Sequence, residues 1–301
     1  MVSLRKGLLG LAVVLTACGS APAAAPPAKV HVGLSASFVR AGAGSVWVTD
    51  RSGGRLVRVD PATGRIKAKI GIPDEPFGVA LGAGSVWVGS RYGSKVTRLN
   101  ARTNRRQARI RVGINPYALA YGAGTLWVTN EVSGTVSRIS ARKNKVVKTI
   151  RVGGQPNGIA LAFGKVWVAD YGRGRLIRVD PAHNRVQQAV DIPSADWITA
   201  HAGSLWVSSE TGTVYRIDPV TMAVQATVTV GDNPLAGAWI GDELWVPNIG
   251  SGTVSVVSSS TNAVARTITV GPSPIALAYA AGSAWVTSED DGDLWRLDTA
   301  P

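Results

Sequence analysis

The chain repeats one pattern of apolar and polar positions about every 40 residues. In the copy at residues 116–153, the segments YALAYG, TLWVTN, TVSRIS and KVVKTIRVG have the length and alternation of short β-strands. Turns rich in Gly, Ser and Asn separate these segments. No repeat shows the 3.6-residue period of an amphipathic helix. Each repeat therefore predicts four short antiparallel strands.

A Trp-Val pair marks the same place in every repeat. Successive tryptophans are 40, 40, 40, 39, 39 and 40 residues apart. They are Trp47, Trp87, Trp127, Trp167, Trp206, Trp245 and Trp285. A residue type that recurs at one position of every repeat indicates packing. Seven four-stranded units without helices predict an all-β fold, a seven-bladed β-propeller of antiparallel blades.

The ends of the repeat array indicate how the ring closes. The seventh repeat stops after its third strand, at residues 294–298. Residues 29–33, KVHVG, resemble fourth strands such as TITVG at 267–271. We therefore expect the N-terminal strand to pair in the last blade, so that residues 29–301 form one propeller domain. We expect this domain to be a monomer.

Residues 1–18 have the features of a lipoprotein signal peptide. Arg5 and Lys6 precede an apolar run of eleven residues at 7–17, which is too short to span a bilayer that needs about 20. The run ends in LTAC, which resembles a lipobox, so cleavage is expected before Cys18 and acylation on its thiol. Residues 19–28, GSAPAAAPPA, predict an extended tether. We expect an extracytoplasmic protein anchored in the cell membrane through Cys18; an ordinary signal peptide with an incidental cysteine is the alternative.

The formal net charge of +13 allows nucleic acid, anionic lipid or an acidic polymer as a partner. Part of this charge is predicted to be structural, because an arginine recurs in the third strand of six repeats. These six are Arg58, Arg98, Arg138, Arg178, Arg216 and Arg296, and Val256 replaces the seventh. We expect each to pack between blades with its stem buried.

The remaining basic residues concentrate at 101–111 and 142–151, in the third turns and fourth strands of the second and third repeats. The tether is expected to join the propeller on the face that carries these turns. We therefore expect Arg105, Arg106, Lys143 and Lys145 to face anionic membrane lipid. A solvated basic rim is the alternative. A nucleic-acid partner is disfavoured because Tyr92 and Tyr117 are predicted on the opposite face, away from these cations.

The sequences WVTN at 127–130 and DPAT at 60–63 resemble the repeats of the YVTN family of β-propellers. The whole of 29–301 is also similar to virginiamycin B lyase-like and NHL-type propellers. These families include lyases, scaffolds, sensors and nucleic-acid binders, so the resemblance implies a fold and not one activity. It further implies that ligands bind at the top face, over the central channel. There the loops from the fourth strand to the next first strand meet the loops from the second strand to the third.

Aromatic, polar and acidic residues fall in these top loops, as in small-molecule or carbohydrate pockets. Trp197 lies off the repeat and is the aromatic most expected to contact a ligand. A solvated rim without a ligand is the alternative. The candidate ligand-binding residues are Asp50, Arg91, Tyr117, Asn130, Glu131, Asn157, Asp170, Tyr171, Trp197, Glu210 and Asn248.

The resemblance to virginiamycin B lyases implies a catalytic His in the first set of loops, a Glu in the second set, and a nearby magnesium ion. No repeat carries this pair, and the nearest pair is Asn157 with Asp170. An Asn side chain is not a base near neutral pH. We therefore predict a non-catalytic module that binds a small molecule, a glycan or a protein, with no catalytic residue and no required cofactor.

The sequence also allows two alternatives to a non-catalytic binding module. The first is a lyase or lactonase-type enzyme with a divalent cation near Asp50, Asn130 and Asp170, whose oxygen atoms suit such an ion. Gluconolactonase-like propellers imply a calcium site of this kind, with Asn157 as a further ligand. The second alternative is a nucleic-acid-binding propeller.

Overall fold

The structure is a computed structural model that describes residues 28–299. The predicted signal peptide, most of the tether and Cys18 lie outside the described residues. Within residues 28–299, seven four-stranded antiparallel sheets form the blades of a propeller. The predicted fold class is therefore confirmed. No helix in this part of the chain is long and apolar enough to cross a membrane.

The first four blades follow the order of the repeats, with the innermost strand first. Blade 1 contains β2 (Ala36–Gly42), β3 (Ser45–Asp50), β4 (Arg55–Val59) and β5 (Ile66–Gly71). Blade 2 contains β6 (Pro76–Gly82), β7 (Ser85–Ser90), β8 (Lys95–Asn100) and β9 (Arg106–Arg111). Blade 3 contains β10 (Pro116–Gly122), β11 (Thr125–Asn130), β12 (Thr135–Ser140) and β13 (Lys145–Arg151). Blade 4 contains β14 (Pro156–Ala162), β15 (Lys165–Asp170), β16 (Arg175–Asp180) and β17 (Arg185–Asp191), with a short 3₁₀ turn at Tyr171–Arg173.

The remaining three blades complete the ring. Blade 5 contains β18 (Ala195–His201), β19 (Ser204–Ser209), β20 (Thr213–Ile217) and β21 (Val224–Thr229). Blade 6 contains β22 (Ala238–Ile240), β23 (Glu243–Asn248), β24 (Thr253–Ser258) and β25 (Ala263–Thr269). Blade 7 contains β26 (Pro274–Ala280), β27 (Ser283–Ser288), β28 (Asp293–Asp298) and, as its outermost strand, β1 (Ala28–His31).

The N-terminal strand closes the ring as predicted. β1 pairs antiparallel with β28, from Ala28 opposite Arg296 to His31 opposite Asp293. The Lys29 ammonium lies 2.6 Å from the Asp293 carboxylate, and the His31 ring lies 3.0 Å from its other oxygen. Both ends of the described chain therefore belong to one sheet. A ring closed in this way has no free terminal blade to cap.

The recurring tryptophans form the core between blades, as their period predicts. All seven are at most 3% exposed. An arginine guanidinium lies over each ring, at 4.6 to 6.0 Å from the centroid. The aromatic faces are thus covered by cations whose stems pack against them.

The six recurrent arginines also connect successive blades. Arg138 donates to the Pro181 carbonyl at 2.9 Å and to the Asn184 side chain at 2.8 Å, both in the third turn of the next blade. Arg98 makes the same two bonds to Ala141 and Asn144. Each of the six donates to the third turn of the following blade. The structural role predicted for them is confirmed.

Blade 6 lacks this arginine for a reason that the ring closure supplies. The next blade is blade 7, whose third turn is replaced by the two chain ends, so it offers no turn to receive such a side chain. Val256 occupies the position. Arg266, its partner on β25, covers Trp245 instead, at 5.1 Å, and pairs with Glu243 at 3.0 Å.

Candidate functional site

The top mouth is the opening of the central channel on the face where second strands end and third strands begin. One residue from each blade follows directly after the second strand and surrounds this opening. These residues are Arg51, Arg91, Glu131, Tyr171, Glu210, Ile249 and Glu289. The sequence prediction included Arg91, Glu131, Tyr171 and Glu210 as ligand-binding residues.

Asp196 lies beneath this ring and was missed by the sequence prediction. Its side chain is 2% exposed and accepts a hydrogen bond from Asn157 Nδ2 at 3.2 Å. Burial, and next the negative charge of Glu210, raise the pKa of Asp196 to about 7. Asn157 Oδ1 is buried and has no hydrogen-bond partner among residues 28–299.

The register of blade 5 explains why Asp196 was missed. Trp206 pairs with Thr199, whereas Trp127 pairs with Ala120. Asp196 lies three residues before Thr199, and Tyr117 lies three residues before Ala120, so Asp196 and Tyr117 occupy equivalent positions. Trp197 lies one residue further along the first strand, away from the mouth. Asp196, and not Trp197, therefore occupies the position in blade 5 that Tyr117 occupies in blade 3. Ala195 stands where most blades have proline, so the Pro-x pattern that marks the position is absent here.

Trp197 belongs to an aromatic floor beneath the mouth. Its ring lies 5.1 Å from that of Phe38, which also contacts Phe77 at 4.6 Å. Phe77 in turn lies 4.8 Å from Tyr117. All four rings are at most 8% exposed. Burial is the main cause that raises the pKa of the Tyr117 hydroxyl well above its ordinary value. The four rings come from blades 1, 2, 3 and 5 and therefore contact one another across the channel.

Arg91 forms the most connected group at the mouth. Its guanidinium donates to Asn115 Oδ1 at 2.8 Å and to Glu131 Oε2 at 2.9 Å, and Asn115 Nδ2 donates to the same Glu131 oxygen at 2.6 Å. It also covers the rings of Phe77 and Tyr117 at 4.7 and 5.3 Å. Arg91 is thus fixed above the aromatic floor.

A second cation, Arg51, lies across the mouth. It pairs with Glu289 at 3.0 Å and approaches Glu75 at 3.7 Å. Ser37 donates to the same Glu289 carboxylate at 2.7 Å. Both guanidiniums at the mouth therefore have carboxylate partners.

Glu210 has no such cation. Its carboxylate accepts a hydrogen bond from the Tyr171 hydroxyl, and this bond, with the negative charge of Glu210, raises the pKa of Tyr171. No cation lies within ion-pairing distance of Glu210 or Asp196 among residues 28–299. Two carboxyl groups of blade 5 thus share one side of the mouth without a positive partner.

The four predicted residues at the ends of second strands have a different role. Asp50, Asn130, Asp170 and Asn248 are completely buried. Asp50 Oδ1 accepts from the backbone amides of Leu34, Ser35 and Gly53 at 2.9 to 3.1 Å.

Asn130, Asp170 and Asn248 make their contacts within their own blades or in the loop that leads into the blade. Asn130 Oδ1 accepts from the Gly113 amide at 3.1 Å, and a β-carbon at Gly113 would lie 2.7 Å from the Asn130 side chain. Asp170 accepts from the Gln155 amide, and Asn248 donates to Thr253 and Ser255. Asp50, Asn130 and Asp170 therefore hold top loops in place, whereas Asn248 bonds to the third strand of its own blade.

The possible metal-ligand set does not assemble. Within residues 28–299, no group of three or more His, Asp or Glu side chains is arranged to hold a metal ion. Asp50 Oδ1 and Asp170 Oδ1 accept from backbone amides, and Asp170 Oδ2 pairs with Arg175 at 3.1 Å. Asp50 Oδ2 is buried and has no hydrogen-bond partner among residues 28–299. The described residues do not support the divalent cation suggested near Asp50, Asn130 and Asp170.

The basic residues lie where the sequence places them, on third turns and on outermost strands of blades 2 and 3. Arg105 and Lys143 belong to the third turns, and Arg106 and Lys145 begin β9 and β13. All ten cations of the two runs are exposed, and none is ion-paired within residues 28–299. They are Arg102, Arg105, Arg106, Arg109, Arg111, Arg142, Lys143, Lys145, Lys148 and Arg151.

The fold and this mouth define the class of protein as a seven-bladed β-propeller with a charged top face. No protein-family model matches the sequence, and no curated protein is detectably similar to it. Among solved structures, it is similar to a chain of Kuenenia stuttgartiensis hydrazine synthase, with a TM-score of 0.80 and 14% identity over 90% of this chain and 98% of that one. It is also similar to a streptogramin B lyase, with a TM-score of 0.78 and 16% identity over 87% of this chain and 93% of that one. Identities this low show the shared fold, which agrees with the resemblance to virginiamycin B lyase-like propellers.

Proposed function

We propose that the protein is a lipid-anchored extracytoplasmic binding module whose top mouth takes a small ligand bearing a positive charge. The supporting observation is the pair of Asp196 and Glu210, two carboxyl groups on one side of the mouth without a cationic partner in the described residues. The other side carries Arg51 and Arg91, which are already paired. A ligand amine beside blade 5 would therefore meet free negative charge.

The ionisation of Asp196, which is coupled to the charge of Glu210, predicts that ligand affinity depends on pH. Burial, and next the like charge of Glu210, raise the pKa of Asp196 to about 7, so Asp196 holds its proton up to about that pH. A bound cation favours the ionised form, so ligand binding releases a proton from Asp196. The affinity for a permanently charged amine should consequently rise as the pH increases through 7.

The test is a calorimetric titration of residues 28–301, which contain all seven blades, with 1,5-diaminopentane and with the neutral 1,5-pentanediol. The amines keep their charge near neutral pH, because their pKa resembles that of lysine, about 10.4. We expect the diamine to bind better above pH 7 than below it, and the diol not to bind. Equal binding of the diol would overturn the proposal.

Two variants and a matched control locate the site. Asp196→Asn and Glu210→Gln should each weaken the diamine, because each removes a negative charge and retains the shape. Asp232→Asn is the control, since Asp232 is an exposed carboxylate on the same face. Wild-type affinity in both site variants, or equal weakening in the control, would contradict the assignment to blade 5.

The basic turns support the proposed orientation on a membrane. β1 starts at Ala28 opposite Arg296, which reaches the third turn of blade 1. The chain before Ala28 therefore joins the propeller on the face of the third turns. Each cation near an anionic surface contributes about 1 kcal/mol, so this face is expected to turn toward the lipid and the top mouth away from it.

The membrane proposal is tested with residues 28–301 and vesicles containing anionic lipid. Charge reversal at four positions on the face of the third turns should weaken vesicle binding. The same change at four exposed cations near the top ends of strands should weaken it less. The first set is Arg105, Arg106, Lys143 and Lys145; the control set is Arg55, Lys95, Arg111 and Arg151. Equal losses would show only an effect of net charge.

A second candidate function is a lyase-type enzyme with Asp196 as general base. The specific observation is a carboxyl group buried beneath the mouth beside Asn157, and burial and the charge of Glu210 raise its pKa to about 7, which suits proton abstraction near neutral pH. Conversion of a streptogramin B, followed by mass spectrometry, would test it. Activity should follow the ionisation of Asp196 and disappear in Asp196→Asn, and an unaltered substrate would remove this candidate for that substrate class.

A further inference from the structure

A second cavity lies in the lower half of the central channel, on the opposite side of the aromatic floor from the top mouth. It has a volume of about 450 Å³ and is formed by first strands of blades 1, 5, 6 and 7. Trp197 belongs to both sites, because its ring forms part of the floor and also lines this cavity. The two sites are therefore separated by one layer of aromatic side chains.

The residues opposite the blade tryptophans explain why this part of the channel is wide. This ring position holds Ala80, Ala120, Ala160, Ala238, Ala278, Thr199 and Arg40. Five alanines and one threonine leave space around the axis, and Arg40 is the long side chain at this level. Arg40 of blade 1 lies over the Trp197 ring of blade 5 and lines the cavity, so its side chain extends into the channel.

The positive charge of Arg40 has few interaction partners within the described residues. Its guanidinium lies over the Trp197 ring at 5.6 Å and donates to the neighbouring Val39 carbonyl at 3.2 Å. It forms no ion pair with any residue of 28–299. Burial lowers the pKa of Arg40 to about 10. A guanidinium has five N–H donors, and one of them is occupied by the protein.

The opposite wall of the cavity is apolar and fixed. Trp239 donates from Nε1 to the Thr199 hydroxyl at 3.1 Å, and its ring stacks on His201 at 4.1 Å. Tyr279, which is 45% exposed, extends the same wall. Pockets that combine apolar walls with a single well-placed charge bind small amphipathic ligands.

We infer that the lower channel is a binding site for a small organic anion, whose carboxylate or phosphate pairs with Arg40 while its apolar part packs on Trp239 and Tyr279. A carboxylate or a phosphate would accept two guanidinium N–H groups together. The site differs from the top mouth in both face and charge, because the mouth offers carboxylates and this cavity offers a cation. The inference stands independently of the proposed function.

The experiment uses residues 28–301 and four probes: 3-phenylpropionate, phenyl phosphate, acetate, and the neutral 3-phenylpropionamide. Binding is measured by calorimetry and by the change in tryptophan fluorescence, since Trp197 and Trp239 line the cavity. We expect at least one aromatic anion to bind more tightly than acetate and the amide. The preferred member of the aromatic pair distinguishes a carboxylate from a phosphate ligand. Absence of saturable binding by both aromatic anions would overturn the inference.

Variants assign the binding to Arg40. Arg40→Leu should weaken the preferred anion by about tenfold or more, the loss expected when a hydrogen bond to a charged group is removed, and Arg40→Lys should restore part of it. Arg109→Leu is the matched control, because Arg109 is an exposed cation on the outer strand β9. Equal affinity in Arg40→Leu, or an equal loss in the control, would refute the site.

A cavity-filling variant tests the location of the anion site without changing Arg40. Ala238→Leu keeps Arg40 and fills space beside Trp239, so it should weaken aromatic anions while its thermal unfolding stays close to that of the wild type. Unchanged binding of the aromatic anion would place that ligand elsewhere and refute the site. Circular dichroism and thermal unfolding of each variant identify any loss of structure.

Discussion

Replacing Asp196 by Asn should make the protein more stable, and increasingly so as the pH rises. Asn retains the size of the side chain and can still accept the hydrogen bond from Asn157 Nδ2. It cannot ionise. The variant therefore removes the one property of Asp196 that is costly in its environment, the negative charge beside Glu210.

The sign follows from the direction of the pKa. An ordinary Asp has a pKa of 3.8, and burial followed by the charge of Glu210 raises the pKa of Asp196 to about 7. Between these values the folded state holds a proton that the unfolded state has lost, so stability decreases as the pH rises through this range. Above about pH 7 both states are ionised and the dependence ends.

The magnitude follows from the same two values. A tenfold change in acid dissociation is worth about 1.4 kcal/mol. A carboxyl group with a pKa of 3.8 unfolded and about 7 folded therefore contributes up to about 4 kcal/mol of lost stability at alkaline pH. This is a large share of the 5–15 kcal/mol that stabilises a typical domain, so it should be measurable.

The assay is urea unfolding of residues 28–301 at a series of pH values, for the wild type, Asp196→Asn and the exposed control Asp232→Asn. The difference between Asp196→Asn and the wild type should grow from about pH 4 to about pH 7 and then remain constant. Glu210→Gln should shift this rise to lower pH, because it removes the second cause of the raised pKa. Parallel stability curves for the wild type and Asp196→Asn would refute the reasoning.

Three further predictions concern the ring. Arg138→Ala removes two hydrogen bonds to the third turn of the next blade and should lower the free energy of unfolding in urea by about 1–3 kcal/mol. A decrease no greater than that caused by an exposed Arg→Ala change would contradict the connecting role. Lys29 and His31 outweigh burial and lower the pKa of Asp293, so this carboxylate stabilises the ring near neutral pH and loses its contribution progressively as the pH falls below 3.8. Asp293→Asn should therefore be less stable than the wild type near pH 7, and the deficit should shrink as the pH falls below 3.8. A deficit that does not change with pH would contradict this. Arg266→Ala should uncover Trp245 and lower the melting temperature, and unchanged melting would show that this stacking is unimportant.

The fold was predictable because its signal is repeated. Each blade buries a tryptophan at the same level, so the period of about 40 residues can be read directly from the chain. The closing strand was predictable for the same reason, since residues 29–33 carry the pattern of a fourth strand. Packing constraints of this kind act on every blade alike.

The site was less predictable because its contacts join different blades. Arg91 meets Glu131, 40 residues further along, and no local pattern relates them. Asp196 was missed because Ala195 replaces the proline that marks its position in most blades. The four residues Asp50, Asn130, Asp170 and Asn248 were included because their chemistry suits a ligand, whereas the structure buries all four completely and three of them bond to backbone amides of the loops.

The short N-terminal strand has a mechanical consequence. β1 is four residues long, runs antiparallel to β28, and enters from the face of the third turns. A force applied through the residues before Ala28 would pull β1 along its own axis, so its backbone hydrogen bonds and the two Asp293 contacts would share the load. Bonds loaded together in shear resist a pull better than bonds that break one after another. The tensile strength of the whole ring at this end therefore depends on one strand of four residues.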